Sequence, residues 1–251
     1  MAVVPVYNHP DTVGAMVQGI LQAGLPCLLV DDGSEPRCAA VLDALAQQHA
    51  PAVQLLRLAQ NQGKGGAMMA GMRQAWAQGY SHVLQIDADG QHAVADIPAF
   101  VRLAQNHPSA MVCGAPAYDA SVPKLRLYGR YATHVWVWIN TLSLDIQDSM
   151  CGFRVYPLHS AIAVLEQRDI GKRMEFDTEI LVHLHWVGVP FVTQRTAVTY
   201  PQDGLSHFRA WSDNVLISGM HARLFAGMLL RSPRLLLRKL QAKGQRKGAG
   251  A

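Results

Sequence analysis

The sequence predicts an α/β domain built on a mostly parallel sheet flanked by helices, and three observations carry that prediction. Short β-branched runs alternate with segments of helical period through the first half of the chain. The runs are four to six residues long and the intervening segments ten or more, the spacing of βαβ units with a sheet covered on both faces. Half of the 251 residues are hydrophobic and 16% are charged, which suits one sizeable core and excludes a disordered chain.

Ala2–Val6 reads as the first strand, 12–23 as a helix, 27–30 as the second strand and 38–48 as a helix. Residues 53–58 form the third strand, 65–78 the next helix and 82–86 the fourth strand. Ligands of such sheets lie beyond the carboxyl ends of the strands. There the chain places Pro5-Val6-Tyr7-Asn8, Asp31-Asp32-Gly33-Ser34, Asn61-Gln62-Gly63-Lys64-Gly65-Gly66 and Asp87-Ala88-Asp89-Gly90-Gln91-His92. Any one of these is compatible with a turn. Four in succession at one edge point to a site.

Asp87 and Asp89, one residue apart at a strand end, suit a hard divalent cation held through oxygen, with Gln91 adding a neutral oxygen. Mg²⁺ or Mn²⁺ fits this set better than Zn²⁺, which prefers His and Cys. Gly63-Lys64-Gly65-Gly66 opens a helix, so its amides are expected to approach a phosphate, with Lys64 beside them. The segment is not a Walker A loop, because no Ser or Thr follows Lys64, and Met68 stands where a dinucleotide fingerprint needs glycine. Asp31 and Asp32 are candidates to accept hydrogen bonds from a nucleobase or ribose. Acids, a metal and a glycine-rich turn together describe a site for a substituted nucleoside diphosphate.

These motifs, in order, resemble those of family-2 glycosyltransferases of the GT-A fold. They are most similar to the dolichyl-phosphate mannose synthases and the bacterial polyprenyl-phosphate glycosyltransferases. The resemblance covers roughly residues 2–209 and continues through Asp148-Ser149-Met150-Cys151-Gly152-Phe153-Arg154, Phe176-Asp177-Thr178-Glu179 and Asp203-Gly204-Leu205-Ser206-His207-Phe208. It implies that Pro5, Tyr7 and Asp32 line a nucleoside pocket with Val30 and Asp31 beside them. Asp89 and Gln91 would hold the metal, with Asp87 and Ala88 at the donor or metal. Arg154 would lie by the transferred sugar or the acceptor phosphate, with Ser206 as a further acceptor contact. The chain departs from the family at His9, where Glu is frequent, and at Gly114-Ala115-Pro116, where many members carry an arginine. Arg126 and Arg130, on one helix face, are candidates to supply that cation.

The implied reaction is an inverting displacement from a UDP- or GDP-sugar onto a lipid-linked or otherwise amphiphilic acceptor. A lipid phosphate needs arginines to place it, whereas a hydroxyl needs a base. Asp148 is the candidate base, ahead of Asp177 and Glu179. His183 and His185 point in different directions on one helix and do not chelate together. His134 lies in the aromatic stretch 135–138, read as core or groove wall. The rival readings are a sugar-1-phosphate nucleotidyltransferase, for which Tyr7-Asn8-His9-Pro10 is the wrong loop, and a non-catalytic scaffold, against which the intact acids argue.

Charge sharpens the remainder. The net charge is +4, from 22 basic and 18 acidic groups. Residues 231–251 carry seven basic groups and no acid, which leaves 15 basic against 18 acidic groups, about −3, on residues 1–230. A body-wide nucleic-acid surface is thereby excluded. Residues 208–242 read as two amphipathic helices, the second starting at Pro233, whose basic and leucine-rich faces suit an anionic membrane surface. Residues 243–251 read as a disordered basic tail beyond a catalytic domain at 1–207. Four scattered cysteines suggest neither zinc nor disulfides. With no signal peptide and no apolar run of ~20 residues, the expected location is cytoplasmic, peripheral on the inner face of the cell membrane.

Overall fold

Seven strands form one sheet in the order β3-β2-β1-β4-β6-β5-β7. The computed structural model describes residues 1–117, 124–199 and 210–248. β1 (Ala2–Val6) and β2 (Cys27–Asp31) pair in parallel, from Ala2 opposite Cys27 to Val6 opposite Asp31. β3 (Val53–Arg57) extends the sheet beyond β2, while β4 (His82–Gln85) pairs with the other side of β1. β6 (Arg154–Pro157) runs antiparallel between β4 and β5 (Met111–Ala117), and β7 (Phe191–Ala197) lies parallel to β5 at the edge. The chain therefore winds outward from β1 to β3 and then returns to the far side of β1. That reversal opens a crevice at the carboxyl ends of β1 and β4.

Both faces are covered, which is why the strands are apolar on both sides. On one face α1 (Val13–Gln22), α2 (Pro36–Gln48) and α4 (Ile97–Asn106) pack over Val4, Leu29 and Phe153, with the Phe100 and Phe153 rings stacked 3.9 Å apart. The other face carries α3 (Lys64–Ala77), α5 (Lys124–Thr141), α6 (Leu158–Gln167), α7 (Phe176–Val187) and α8 (Ala210–Gly248). From β1 to β4 the element ends differ from the sequence reading by two residues at most, within the ordinary fraying of helix and strand ends.

Two expectations change at the C-terminus. Pro233 does not begin a second helix but lies inside one continuous α8, and the helical backbone reaches Gly248 where a disordered tail was expected. An internal proline costs about 3 kcal/mol. Burial of Met220, Leu224 and Met228 before it and Leu235 after it holds both halves on one line and offsets that cost. Among the described residues no helix is long and apolar enough to cross a membrane.

Candidate active site

Two loops at the carboxyl edge are locked to each other by acids. Asp31 is buried, pairs with Arg57 at 2.8 Å and accepts the Ser34 backbone N–H. The carboxylate of Asp32 accepts the N–H groups of Gln62 and Gly63, at 2.7 and 2.9 Å. Burial raises the pKa of Asp32, and those two N–H groups work against the rise. Asp32 is itself buried, and among the described residues each of its oxygens accepts one N–H. Val30 turns its side chain into the core beneath α3, and Ala88 is buried with its carbonyl taken by the Thr12 hydroxyl, so neither offers a side-chain contact to a donor. Pro5 and Tyr7 stand half-buried at the end of β1.

Two amides of the glycine-rich segment, expected to approach a phosphate, are engaged within the protein instead. The Gly63 N–H is held by Asp32 and the Gly66 N–H by the Lys172 carbonyl at 2.8 Å. Gly63 has φ +88°, and a Cβ on it would meet the Lys172 carbonyl at 2.6 Å. A Cβ on Gly65 would strike Phe176 at 2.5 Å. The glycines thus serve close packing of α3 against the 171–176 turn.

That packing delivers Lys64. Its ammonium bridges Asp87 at 2.7 Å and Asp177 at 2.6 Å. Burial pushes the Lys64 pKa down, but Asp177 and Asp87 more than offset it, so the ammonium stays charged. Asp89 accepts the backbone N–H of Gln91 at 3.0 Å; that N–H, rather than the Gln91 side chain, is what the structure places on the acid. Burial and then the neighbouring Asp87 raise the pKa of Asp89. Two crowded, half-buried carboxylates fit a hard divalent cation. Among the described residues no cluster of three or more His, Cys, Asp or Glu forms a complete cage, so such an ion would draw its other ligands from substrate and water.

Gly152 explains why the acid site needs a distant glycine. A Cβ at this position would overlap the Asp87 carboxylate. Gly152→Ala is therefore expected to displace Asp87 by about 1 Å or more and lower turnover about 100-fold, as a misplacement of that size at a reacting centre does. Steady-state rates together with an unchanged melting temperature check this; a wild-type rate would show that Asp87 tolerates displacement.

Arg154 lies beneath the site rather than in it, correcting its expected contact with sugar or acceptor phosphate. It is 0% exposed and donates to the Ser149 carbonyl at 2.7 Å, the Asp177 carbonyl at 2.7 Å and the Asp177 carboxylate at 3.2 Å. Gln85 and Tyr156 complete this buried network beneath Lys64.

Asp148 likewise takes up structural work in place of proton abstraction. Arg130 forks onto it with two bonds of 2.7 Å, His134 lies at 3.4 Å, and the N–H groups of Met150 and Cys151 donate to it. Burial raises its pKa, but His134 and Arg130 more than offset this and hold the carboxyl well below the usual range. So weak a base is unsuited to taking a proton near neutral pH. Glu179 is also engaged, accepting the Gly171 N–H and pairing with Arg223.

Beside Asp148 opens a cleft of about 460 Å³ lined by Pro116, Arg130, Tyr131, His134, Gln147 and Arg195. Arg195, opposite Ala115 in the β5–β7 register, has no acidic partner among the described residues. Sequence reasoning missed it, since only the register reveals that β7 lies beside the Gly114-Ala115-Pro116 segment. The Arg126 side chain, Ser206 and the 203–208 motif lie outside the described residues.

A family model described as glycosyl transferase family 2 matches residues 1–160. The chain is 26% identical over 210 residues to a dolichyl-phosphate beta-glucosyltransferase of Dictyostelium discoideum, covering 75% of this chain and 62% of that one. It is 24% identical over 196 residues to a UDP-N-acetylglucosamine–dolichyl-phosphate N-acetylglucosaminyltransferase of Methanococcus voltae, covering 72% and 77%. The chain spans less than two thirds of the length of the dolichyl-phosphate beta-glucosyltransferases it matches. Among solved structures, glucosyl-3-phosphoglycerate synthase of Mycobacterium tuberculosis with Mn²⁺ and UDP-glucose superposes with a TM-score of 0.60 at 14% identity, covering 92% of this chain and 77% of that one. A mannosyltransferase of Pyrobaculum calidifontis with GDP-Man and Mn²⁺ gives 0.55 at 15% identity, covering 99% and 79%. The fold is thus GT-A, as the sequence motifs implied.

Proposed function

Because this chain belongs to glycosyl transferase family 2, we propose that it moves a sugar from a nucleoside-diphosphate donor onto a lipid-linked phosphate, with inversion, at a membrane surface. One observation carries the reading: Lys64, Asp87, Asp89 and Asp177 meet in the β1/β4 crevice, and the arginine-lined cleft opens along the same edge. The names of relatives agree with it: they are transferases named for dolichyl phosphate or undecaprenyl phosphate, one of them also for UDP-N-acetylglucosamine.

Asp32 and Tyr7 would contact the nucleoside. Lys64 neutralises Asp87 and Asp177, so that a polyanionic donor meets less repulsion on entering. A divalent cation, Mg²⁺ or Mn²⁺, held by Asp89 and Asp87 would stabilise charge on the departing diphosphate as a Lewis acid. Arg130, oriented by Asp148, and Arg195 would place the acceptor phosphate. Such a phosphate is already ionised at neutral pH, which accords with the engaged state of Asp148. A panel of UDP- and GDP-sugars with Mg²⁺ or Mn²⁺, with and without polyprenyl phosphate, tests the assignment. Lipid-dependent release of nucleoside diphosphate is expected, and release from no donor would overturn it.

The membrane part of the proposal rests on α8. Trp211 is 85% and Leu230 84% exposed, and Val215, Leu229, Leu236, Leu237 and Leu240 are exposed with them. Turning by about 100° per residue, Trp211, Val215, Leu229, Leu236 and Leu240 form one outward apolar stripe, flanked by Lys239. An interfacial helix presents such a face to a bilayer. Replacing Leu229, Leu236 and Leu240 by Glu is expected to weaken co-sedimentation with anionic vesicles by roughly 100-fold or more, given ~1.5 kcal/mol or more per buried leucine. Undiminished sedimentation would remove α8 from the membrane contact.

A further inference from the structure

The face of α8 opposite that stripe is basic, and it closes a cavity. Between α6, α7 and α8 lies a pocket of about 290 Å³ whose wall includes Arg168, His183, Trp186, Arg231, Arg234 and Arg238. Its wall contains no carboxylate. Among the described residues none of the four arginines makes a salt bridge, although other surface arginines such as Arg37, Arg57 and Arg223 do.

Each guanidinium presents five N–H donors. Arg231 uses one group on the Gly227 carbonyl at 2.8 Å and lies over the Trp186 ring at 4.6 Å. Arg238 donates to the Trp186 carbonyl at 2.9 Å, capping the end of α7. Among the described residues the guanidiniums of Arg168 and Arg234 make no hydrogen bond. Four like charges around one concavity repel one another. Burial and then Arg168 and Arg234 lower the pKa of Arg231, while burial followed by Arg168 and Arg231 pushes the His183 imidazole down to about 4. His183 is therefore neutral at pH 7 and available as a hydrogen-bond donor or acceptor.

We propose that this pocket is a second binding site, for a phosphate-bearing anion, distinct from the transfer site. Guanidiniums gathered on one cavity, with those of Arg168 and Arg234 making no hydrogen bond among the described residues, are the chemistry that recognises phosphate. The rigid Trp186 ring, fixed by its N–H bond to the Asn140 carbonyl at 2.8 Å, keeps Arg231 in place. The site is separated from the crevice along α7. That helix places Asp177 in its first turn and meets the pocket from His183 to Val187, roughly 9–15 Å further on by helix rise. The phosphate is carried either by a free solute or by a lipid headgroup, the second source requiring a bilayer to meet the pocket side of α8 and not the apolar stripe on its opposite face. The proposal holds whether or not the crevice transfers sugar, because its test reads binding and not turnover.

The full chain would be titrated with pyrophosphate, and separately with vesicles containing phosphatidylglycerol. The wild type would be compared with Arg168→Gln/Arg234→Gln and with Arg73→Gln/Arg102→Gln, a control of equal charge on α3 and α4. The Arg168 and Arg234 side chains are exposed and make no hydrogen bond or salt bridge among the described residues, so the fold is expected to survive their loss. At least a tenfold loss of pyrophosphate affinity in the pocket variant, with the control near wild type, supports a soluble anion. The same selective loss for vesicles alone supports a headgroup. Equal behaviour of the two variants toward both probes, or no binding by the wild type, overturns the site.

Discussion

Asp89→Ala is expected to lower sugar transfer on the order of 100- to 1000-fold while leaving the fold intact. The carboxylate is half-buried in the loop after β4, and among the described residues its hydrogen bond is to the Gln91 N–H. Its removal leaves Asp87 tied to Lys64 and without a second acid for a cation. Donor turnover with saturating Mn²⁺ measures the effect, and a circular-dichroism melt within a few degrees of wild type confirms that the loss is chemical. Undiminished transfer would remove the metal assignment, whatever the identity of the donor sugar.

Arg154→Met is expected to act oppositely, on stability first. The guanidinium is wholly enclosed and its partners Asp177, Ser149 and Tyr156 are buried with it. Burial pushes the Asp177 pKa up, and Lys64 followed by Arg154 more than offsets it, keeping the acid ionised. Removing one partner of a buried pair costs about 3–5 kcal/mol, a large part of the 5–15 kcal/mol typical of a domain. A matching fall in ΔG from urea unfolding is the expected result. Full stability with activity reduced only through the acceptor KM would return Arg154 to the ligand contact that its motif implied.

These two variants separate what pattern reveals from what it does not. Asp87 and Asp89 were legible because a strand-end position is a local property: the short strand-like run Val83-Leu84-Gln85-Ile86 followed by Asp-x-Asp places both acids at the carboxyl edge of a parallel sheet. Arg154 follows a strongly similar motif, yet whether it faces substrate or core depends on which neighbour covers β6. That neighbour is the start of α7, 23 residues later. The same limit applies to Asp148, which read as a base until Arg130, 18 residues before it, was found forked onto it. Arg195 had no local signal at all.

The sequence by itself determined the sheet, the edge where the chemistry lies, the family, and the basic, leucine-rich character of the C-terminus. Periodicity, turn residues and motif order are written in consecutive residues, so they can be read without a partner. Tertiary structure alone decided the partners. It turned the glycines at 63–66 into packing contacts, set Gly152 against Asp87, and carried α8 straight through Pro233. It also brought Arg168 beside Arg231, more than sixty residues away in the chain. Contacts of that kind depend on how the chain closes on itself and not on any local pattern. For that reason the seven basic groups at 231–251 read first as a membrane signal, and only the folded chain brings three of them, Arg231, Arg234 and Arg238, around one pocket.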